Sequence, residues 1–230
     1  MSTSNVDRIH AQLRRMAADF RIKPETRINE GELAGELGVS RTPLREALNR
    51  LVAEGFLTFR GGHGFFCRSL TPKLIMEWYE ARGAIELEGL RLALLRASDA
   101  QIHALLRRYE ATEAEYFSSA DTVRLLELDE TFHSSLLELA GNPQLCRMLD
   151  TIHGHIRYVR LMNLKALRAD GPASPINDSD KADHRRILSL LRQRDDAEVQ
   201  RALRHHIELR LDDATKAVSV AYSQIYMQNL

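Results

Sequence analysis

The chain has few cysteines, no long apolar run and no net charge. Its two cysteines, Cys67 and Cys146, lie far apart, so the sequence predicts neither a disulfide framework nor a CxxC zinc site. The longest stretch without a charged residue, 217–230, is shorter than the ~18 apolar residues that indicate a membrane span. The first residues lack the charged-then-apolar order of a signal peptide. We therefore expect a cytoplasmic protein with no membrane partner.

The charges that are present are unevenly spread. Lys and Arg number 32, as do Asp and Glu, over the 230 residues. Residues 1–70 contain eleven basic and eight acidic side chains, a net +3, and seven of the twelve glycines; residues 71–230 carry a net −3. This shift predicts two domains, 1–70 and 71–230. The positive excess weakly favours nucleic-acid contact in the first.

Hydrophobic periodicity predicts a mainly helical chain. The predicted helices are 5–22, 30–37, 41–54, 72–96, 99–118, 121–140, 143–168, 178–193 and 195–222. Aromatic residues on both sides of Gly61 and Gly62 predict a β-hairpin over 56–60 and 64–68. The Pro-, Ser- and Asp-rich stretch 169–180 is predicted to be a loop. The fold class is thus an N-terminal winged helix-turn-helix followed by a C-terminal all-helical bundle.

Residues 30–48 have the pattern of a helix-turn-helix. Gly38 follows the last periodic residue of one helix, where a left-handed conformation suits glycine. Ser40 can cap the next helix, and Pro43 falls in its first turn. Thr42, Arg45 and Asn49 project away from the apolar stripe of that helix, and Arg41 lies at its N-terminal end, the end that meets base edges in the major groove.

The hairpin would act as a wing, with Arg60, His63 and the Gly64 backbone close to DNA. Arginines at the start of a recognition helix can bind guanine through two hydrogen bonds, whereas Ser40 and Thr42 suit phosphate contact. The alternative interpretation is an amphipathic helix pair with solvated arginines.

The run ELGVSRTPLREALNRLVAEGFL, residues 36–57, resembles the winged helix of the GntR family of bacterial transcription regulators. The resemblance implies DNA contacts from Ser40, Arg41, Thr42 and Arg45, and matches Gly64 to the wing glycine. The fatty-acid-responsive member of the family has an arginine where this chain has Gly31, so that contact is absent here.

Residues 72–230 resemble the all-helical FCD effector domain of the FadR subfamily. The motifs that carry this resemblance are YEARGAIE at 79–86, LDETFH at 128–133, AGNP at 140–143, DHRRIL at 183–188 and HI at 206–207. It implies one divalent metal ion held by Asp129, His133, His184 and His206.

The residues support this set independently. Asp129 and His133 are spaced i, i+4 and leave one helix face together, on a stripe that continues through apolar positions. His184 and His206 each share an apolar stripe. Three imidazoles and a carboxylate suit Zn, Ni or Mn, although any one histidine alone is better explained as a core residue.

Two arginines are candidates for binding a small organic acid effector. The resemblance implies that Arg82 faces the ligand cavity, where it can clamp a carboxylate. The alternative is an ion pair with Glu86, one turn away. Arg157 is a weaker candidate.

Three classes of function are compatible with these patterns. The first is a regulator that binds a pseudo-palindromic operator in double-stranded DNA as a homodimer, with DNA affinity modulated by an organic acid at a metal site. The second is a metal-dependent hydrolase, which has no use for a winged helix. An architectural DNA binder leaves the histidines unexplained. We expect the first, a protein that is not an enzyme.

Overall fold

The computed structural model describes residues 4–119, 121–167 and 176–227. The elements in these ranges are α1 (Asn5–Ala18), α2 (Glu30–Leu37), α3 (Arg41–Ala53), β1 (Leu57–Arg60), β2 (Gly64–Cys67), α4 (Pro72–Arg96), α5 (Asp99–Ser118), α6 (Thr122–Glu138), α7 (Pro143–Leu167), α8 (Ile176–Gln193) and α9 (Asp196–Met227). The fold is mainly helical, with a winged helix-turn-helix before a helical bundle, as the sequence predicts.

The turn between α2 and α3 has the predicted local chemistry, with one exception. Gly38 ends α2 in the left-handed region at φ +64, and Pro43 lies in the first turn of α3. Ser40 occupies the N-cap position with extended backbone, but its side chain makes no capping hydrogen bond, so the predicted side-chain cap is wrong. The Ser40 hydroxyl is left on the surface, beside the exposed N-terminus of the helix.

The predicted hairpin is present. β1 pairs antiparallel with β2 in a register that places Leu57 opposite Cys67 and Arg60 opposite Gly64. Leu57, Phe65 and Cys67 turn inward and are almost fully buried. A core of apolar residues from α1, α2, α3 and the hairpin therefore holds the wing against the helices.

The remaining helices pack into a second core that extends from α4 to α9. Thr71, Ser98 and Asp121 cap α4, α5 and α6 with their side chains, which explains why those helix starts were predictable. Helix α8 begins at Ile176, so residues 176–180 of the predicted loop are helical. The rest of that loop, up to residue 175, lies outside the described residues.

Aromatic stacking joins the two cores at what we term the domain junction: Phe56, His155, Trp78 and Arg68. The His155 ring, on α7, stacks between Phe56 at 4.3 Å and Trp78 at 3.9 Å between ring centroids. His155 Nε2 donates to the Glu54 carbonyl at 2.9 Å. Arg68 donates to the carbonyls of Ala17 and His155, one on each side of the junction.

The packing at this junction is tight. A Cβ placed on Gly154 would lie 2.6 Å from Phe56 Cζ, closer than side-chain atoms pack, so glycine is required where α7 meets the N-terminal part. Arg14 on α1 adds an ion pair with Asp150 on α7 at 2.8 Å. The N-terminal part thus contacts α7 through apolar, polar and charged groups together.

The junction predicts a pH dependence of stability. Burial, followed by the positive charge of Arg68, lowers the pKa of His155 to about 3, against the opposing hydrogen bond to the Glu54 carbonyl; Arg14 lowers it further. The unfolded chain protonates this histidine below about pH 6.5, whereas the folded chain does so only near pH 3. The contribution of neutral His155 to the free energy of unfolding is therefore complete above pH 6.5. It falls as the pH drops, by up to about 1.4 kcal/mol per pH unit.

We expect the free energy of unfolding, measured by urea titration between pH 7 and pH 5, to fall less steeply in His155→Phe than in the wild type. Phenylalanine keeps the stack and does not titrate. Other buried histidines add a slope of the same sign to both proteins, so the difference between the two slopes is the readout. Equal slopes would contradict the assignment of His155 as a buried neutral group.

Candidate functional site

The face of α3 that points away from the core carries the predicted DNA-binding residues. All of them are exposed: Ser40, Arg41, Thr42, Arg45 and Asn49. The opposite side of α3 is fixed by Leu44, Ala47, Leu48 and Leu51, which are buried to 1% exposure or less. This packing holds one helix face outward in a defined orientation.

The two arginines of this face lie beside the start of α2. Arg45 Nε is 3.3 Å from Glu30 Oε2. Arg41 Nη2 lies 3.4 Å from where a Cβ on Gly31 would be, so the absence of a side chain at Gly31 leaves room for the Arg41 guanidinium. Both arginines are therefore positioned by α2 and remain open to solvent.

The wing places its predicted residues at the tip of the hairpin. His63 lies in the turn and donates its backbone N–H to the Arg60 carbonyl at 2.9 Å. Gly64 has φ +90, a conformation that favours glycine. The Arg60 guanidinium lies over the Phe66 ring at 4.2 Å.

The four predicted metal ligands come together in the bundle. We call Asp129, His133, His184 and His206 the His/Asp cluster; their ligand atoms all lie within 4.8 Å of one another. α6 contributes the first two, and α8 and α9 contribute one histidine each. His184 Nε2 is 3.3 Å from His206 Nε2 and 3.6 Å from Asp129 Oδ1. All four residues are buried.

Three residues that the sequence analysis did not connect with the cluster hold its outer atoms. Glu86 Oε2 accepts from His133 Nδ1 at 2.6 Å, and Asp183 Oδ2 lies 3.5 Å from His206 Nδ1. Arg160 donates to Asp129 Oδ2. Partners of this kind fix the tautomer of a ligating histidine and turn its other nitrogen toward the metal.

The surroundings of Asp129, His184 and His206 keep these three side chains in metal-binding form. Burial, together with the neighbouring His206, lowers the pKa of His184 well below its ordinary value, and burial lowers that of His206 to about 4. Burial is the largest single effect on Asp129 and would raise its pKa, but Arg160 and the other positive groups around it, Arg82 among them, together outweigh burial and hold that pKa well below the usual range. Neutral imidazoles and an ionised carboxylate are the forms that coordinate metals.

The geometry fits a divalent ion. Two nitrogens bound to a tetrahedral zinc at about 2.0–2.1 Å lie roughly 3.3 Å apart, which is the separation of His184 Nε2 and His206 Nε2. His133 Nε2 is buried without a hydrogen-bond partner among the described residues. A lone imidazole nitrogen in a dry interior is costly, and coordination would remove that cost.

Arg82 forms the ion pair that the sequence offered as the alternative to effector binding. Its Nε donates to Glu86 Oε1 at 2.5 Å, which is the predicted ion pair. The side chain is fully buried, yet Nη1 and Nη2 find no hydrogen-bond partner in the described part of the chain. These two donors can bind an anion, and Glu86 connects them to His133 on the other side.

Arg157 lies elsewhere. It pairs with Glu130 at 2.9 Å and with Asp19 at 3.4 Å. It lines a groove of about 920 Å³ between α1, α6 and α7. Its charge is thus used between the two parts of the chain, and its role as an effector ligand stays a prediction.

A small cavity adjoins the cluster. Its volume is about 30 Å³, and Tyr79, Asp129, Arg160, Asn163 and Arg210 are among the residues that line it. A cavity of this size admits a water molecule or a single small group, whereas sites for organic ligands measure roughly 300–1,000 Å³. An organic acid that reaches Asp129 must therefore displace side chains.

An exposed arginine-bearing helix with a wing, followed by a helical bundle with a buried His/Asp cluster, is the architecture of a DNA-binding protein with a second, helical domain. Comparison with known families agrees: residues 5–67 match the bacterial regulatory proteins of the gntR family, and residues 77–209 match the FCD domain. The chain belongs to the gntR family of bacterial transcription regulators and carries an FCD domain.

Curated relatives have related functions. The chain is 37% identical over 216 residues to the Nta operon transcriptional regulator of Aminobacter aminovorans, covering 93% of this chain and 96% of that protein. It is 30% identical over 195 residues to YdhC of Bacillus subtilis, an uncharacterised HTH-type transcriptional regulator, covering 84% of each. The family and these relatives are regulators and not enzymes, which removes the hydrolase alternative.

The fold has relatives of known structure. E. coli McbR/YncC matches with a TM-score of 0.67 over 97% of this chain and 99% of that chain, at 21% identity. In the described residues, no helix is long and apolar enough to cross a membrane.

The outer contacts of the cluster predict that Glu86→Gln lowers the affinity for Zn²⁺ by about 10- to 100-fold. The amide would donate to His133 Nδ1 and so force the proton onto Nε2, the nitrogen that faces the cluster. Competition of the purified protein with a chelator for Zn²⁺ measures the affinity. Glu88→Gln is the matched control, since Glu88 is exposed on the same helix and pairs with Arg91. Equal losses in both variants would contradict the role of Glu86.

Proposed function

We propose that the chain is a ligand-responsive regulator of the FadR subfamily that binds a pseudo-palindromic operator as a homodimer. A small carboxylate bound beside a metal ion in the FCD domain changes its affinity for DNA. The observation that carries this proposal is the continuous contact from Arg82 through Glu86 to His133 in the buried centre. Because bacterial operator DNA lies in the cytoplasm, the proposal also locates the protein there.

The exposed face of α3 supports the DNA half of the proposal. Arg41 and Arg45 suit base edges, because a guanidinium matches the two acceptors of guanine. Ser40, Thr42, Asn49, His63 and Gly64 lie around them and suit the phosphate backbone. One such face makes few contacts, and two copies would double them on half-sites about 10 bp apart.

The buried centre supports the metal half. Asp129, His133, His184 and His206 would hold one ion, with Zn, Ni or Mn favoured by three imidazoles and a carboxylate. A bound ion would supply a positive charge that attracts a carboxylate to its open position. Four protein ligands on three helices would tie α6, α8 and α9 together.

Arg82 supports an acidic effector. The free nitrogens Nη1 and Nη2 match a carboxylate, which accepts two parallel hydrogen bonds from a guanidinium. Arg82 is completely buried, so an anion at this position would be shielded from water and salt. The unidentified effector is therefore proposed to be a small organic acid.

The domain junction supplies a route to the DNA-binding part. α4 carries Arg82 and Glu86 and also Trp78, whose ring stacks on His155. Since the cavity beside Asp129 has only about 30 Å³ of free volume, entry of an organic acid would shift the surrounding helices. A shift of α4 or α7 would alter the stacking of His155 on Phe56. The resulting change in operator affinity can be no larger than the difference in effector affinity between the two helix arrangements, typically about 1–3 kcal/mol.

Base reading by Arg45 can be tested directly. Arg45→Ala is expected to lower the affinity for the operator by about 1–3 kcal/mol, because the two hydrogen bonds to guanine are lost, while binding to mixed-sequence DNA changes far less. Fluorescence anisotropy on both duplexes measures this, with the operator taken as the duplex that the wild type selects from a random pool. Arg15→Ala, an exposed arginine on α1, is the control. Equal losses on both duplexes would make Arg45 a phosphate contact.

The metal and effector half is tested by His184→Ala. We expect the variant to lose bound metal, and to lose any thermal shift that a panel of mono-, di- and tricarboxylates produces in wild type loaded with Zn²⁺. Operator binding through Arg41 and Arg45 is expected to persist. The variant should also unfold at a lower temperature than metal-loaded wild type, because metal binding stabilises the folded state.

The control for this experiment is His205→Ala, since His205 is exposed and lies next to the cluster residue His206 on α9. Elemental analysis of each protein reports the metal content. A wild type that takes up no metal when it is supplied would reject the metal site. A His184→Ala protein that is free of metal and still responds fully to a carboxylate would limit the ion to a structural role.

A further inference from the structure

The segment before α2 pairs with β2 through an isolated β-bridge, which the sequence did not predict. Cys67 donates its N–H to the Thr26 carbonyl at 3.0 Å, and Ile28 donates to the Phe65 carbonyl at 2.8 Å. Arg27 forms an antiparallel bridge with Phe66. The backbone of Arg27 is therefore fixed to the edge of β2.

Strand alternation determines where the side chains of this segment go. Ile28 turns into the core and is 6% exposed, so its neighbour Arg27 turns to the open face. Residues directly opposite one another lie on one face of a sheet, so Arg27 shares this face with Phe66. The Arg60 guanidinium lies over the Phe66 ring and is therefore on the same face. The open face of the wing thus presents Arg27 and Arg60.

Arg27 also lies next to the recognition helix. It lines a recess of about 450 Å³ together with Arg41, Arg45 and Gly64. Its Nε is 3.8 Å from where a Cβ on Gly64 would be. Three guanidiniums and the carboxylate of Glu30 therefore surround a recess between α3 and the wing.

The charges in this recess are mostly unpaired. Arg45 is 3.3 Å from Glu30. Neither Arg27 nor Arg41 forms an ion pair with any residue in the ranges that the structure describes. An exposed group of unpaired guanidiniums in a concave surface attracts an anion.

We propose that Arg27 binds a phosphate of the DNA backbone, at the point where the strand passes between the recognition helix and the wing. This inference rests on the proposed function. Arg27 lies beside the wing and not at the exposed end of α3, so its side chain can contact the DNA backbone but not the base edges. A guanidinium binds phosphate through two parallel hydrogen bonds, and its fixed strand position makes Arg27 a contact that orients the wing.

The salt dependence of DNA binding tests this proposal. Each phosphate contact contributes about 0.9 to the slope of log K against log[salt], measured here on a mixed-sequence duplex of about 30 bp. Arg27→Ala is expected to reduce that slope by about 0.9 and to weaken binding at low salt by roughly tenfold. Arg15→Ala removes the same charge from the surface of α1, and we expect it to leave the slope unchanged.

Further measurements separate the outcomes. Arg27→Lys is expected to restore most of the slope, because a phosphate contact depends on the positive charge. A loss confined to the selected operator, an unchanged slope, or a fall in thermal midpoint that accompanies the loss of binding would each overturn the proposal. If the wild type binds no duplex at all, the proposed function is rejected as well. If the wild type binds DNA and Arg27→Ala binds equally well, only this inference is rejected.

Discussion

The burial of charged groups in the helical bundle is the constraint on which the rest of the structure depends. Arg82, Glu86, Asp129 and Arg160 are each less than one-tenth exposed. Taking an ion out of water costs several kcal/mol unless a partner and hydrogen bonds compensate, and loss of one partner leaves the other uncompensated. Apolar side chains tolerate many packings, but these ions reach their charged partners only when α4, α6 and α7 meet in one arrangement. The position of the helices and the chemistry of the site are therefore set together.

The same helices extend from the buried centre to the DNA-binding part. α7 carries Arg160 at the cluster and His155 at the domain junction, and α4 carries Glu86 and Trp78. Phe56 of the N-terminal part is fully buried and stacks on His155 of α7, so the position of the N-terminal part depends on the position of α7. Close packing transmits a change in helix position as a discrete rearrangement, not as a gradual deformation. The proposed effector site is thus placed to affect how the wing is held.

Local patterns predicted most of the fold, and together with the family resemblance they named all four members of the His/Asp cluster. Asp129 and His133 were predictable because an i, i+4 spacing is a local property, and the left-handed Gly38 follows from glycine chemistry. The contacts of Glu86 and Arg160 with the cluster were not predictable, because they join helices distant in sequence; the local pattern offered Glu86 only as an ion-pair partner of Arg82. The β-bridge at Arg27 escaped prediction for the same reason, since its partner is β2. The predicted helix 178–193 began two residues late, because the Pro-, Ser- and Asp-rich composition of 169–180 indicated a loop, whereas α8 begins at Ile176.

The central claim is that one divalent ion joins the helices of the buried centre while Glu86 holds the outer nitrogen of His133. X-ray diffraction from crystals grown with Zn²⁺, recorded on both sides of the zinc absorption edge, tests it most directly. We expect one anomalous peak per chain, about 2.0–2.2 Å from His133 Nε2, His184 Nε2, His206 Nε2 and an oxygen of Asp129. We also expect the contact between Glu86 and His133 Nδ1 to be retained. A peak at any other position, or none at saturating Zn²⁺, would contradict it.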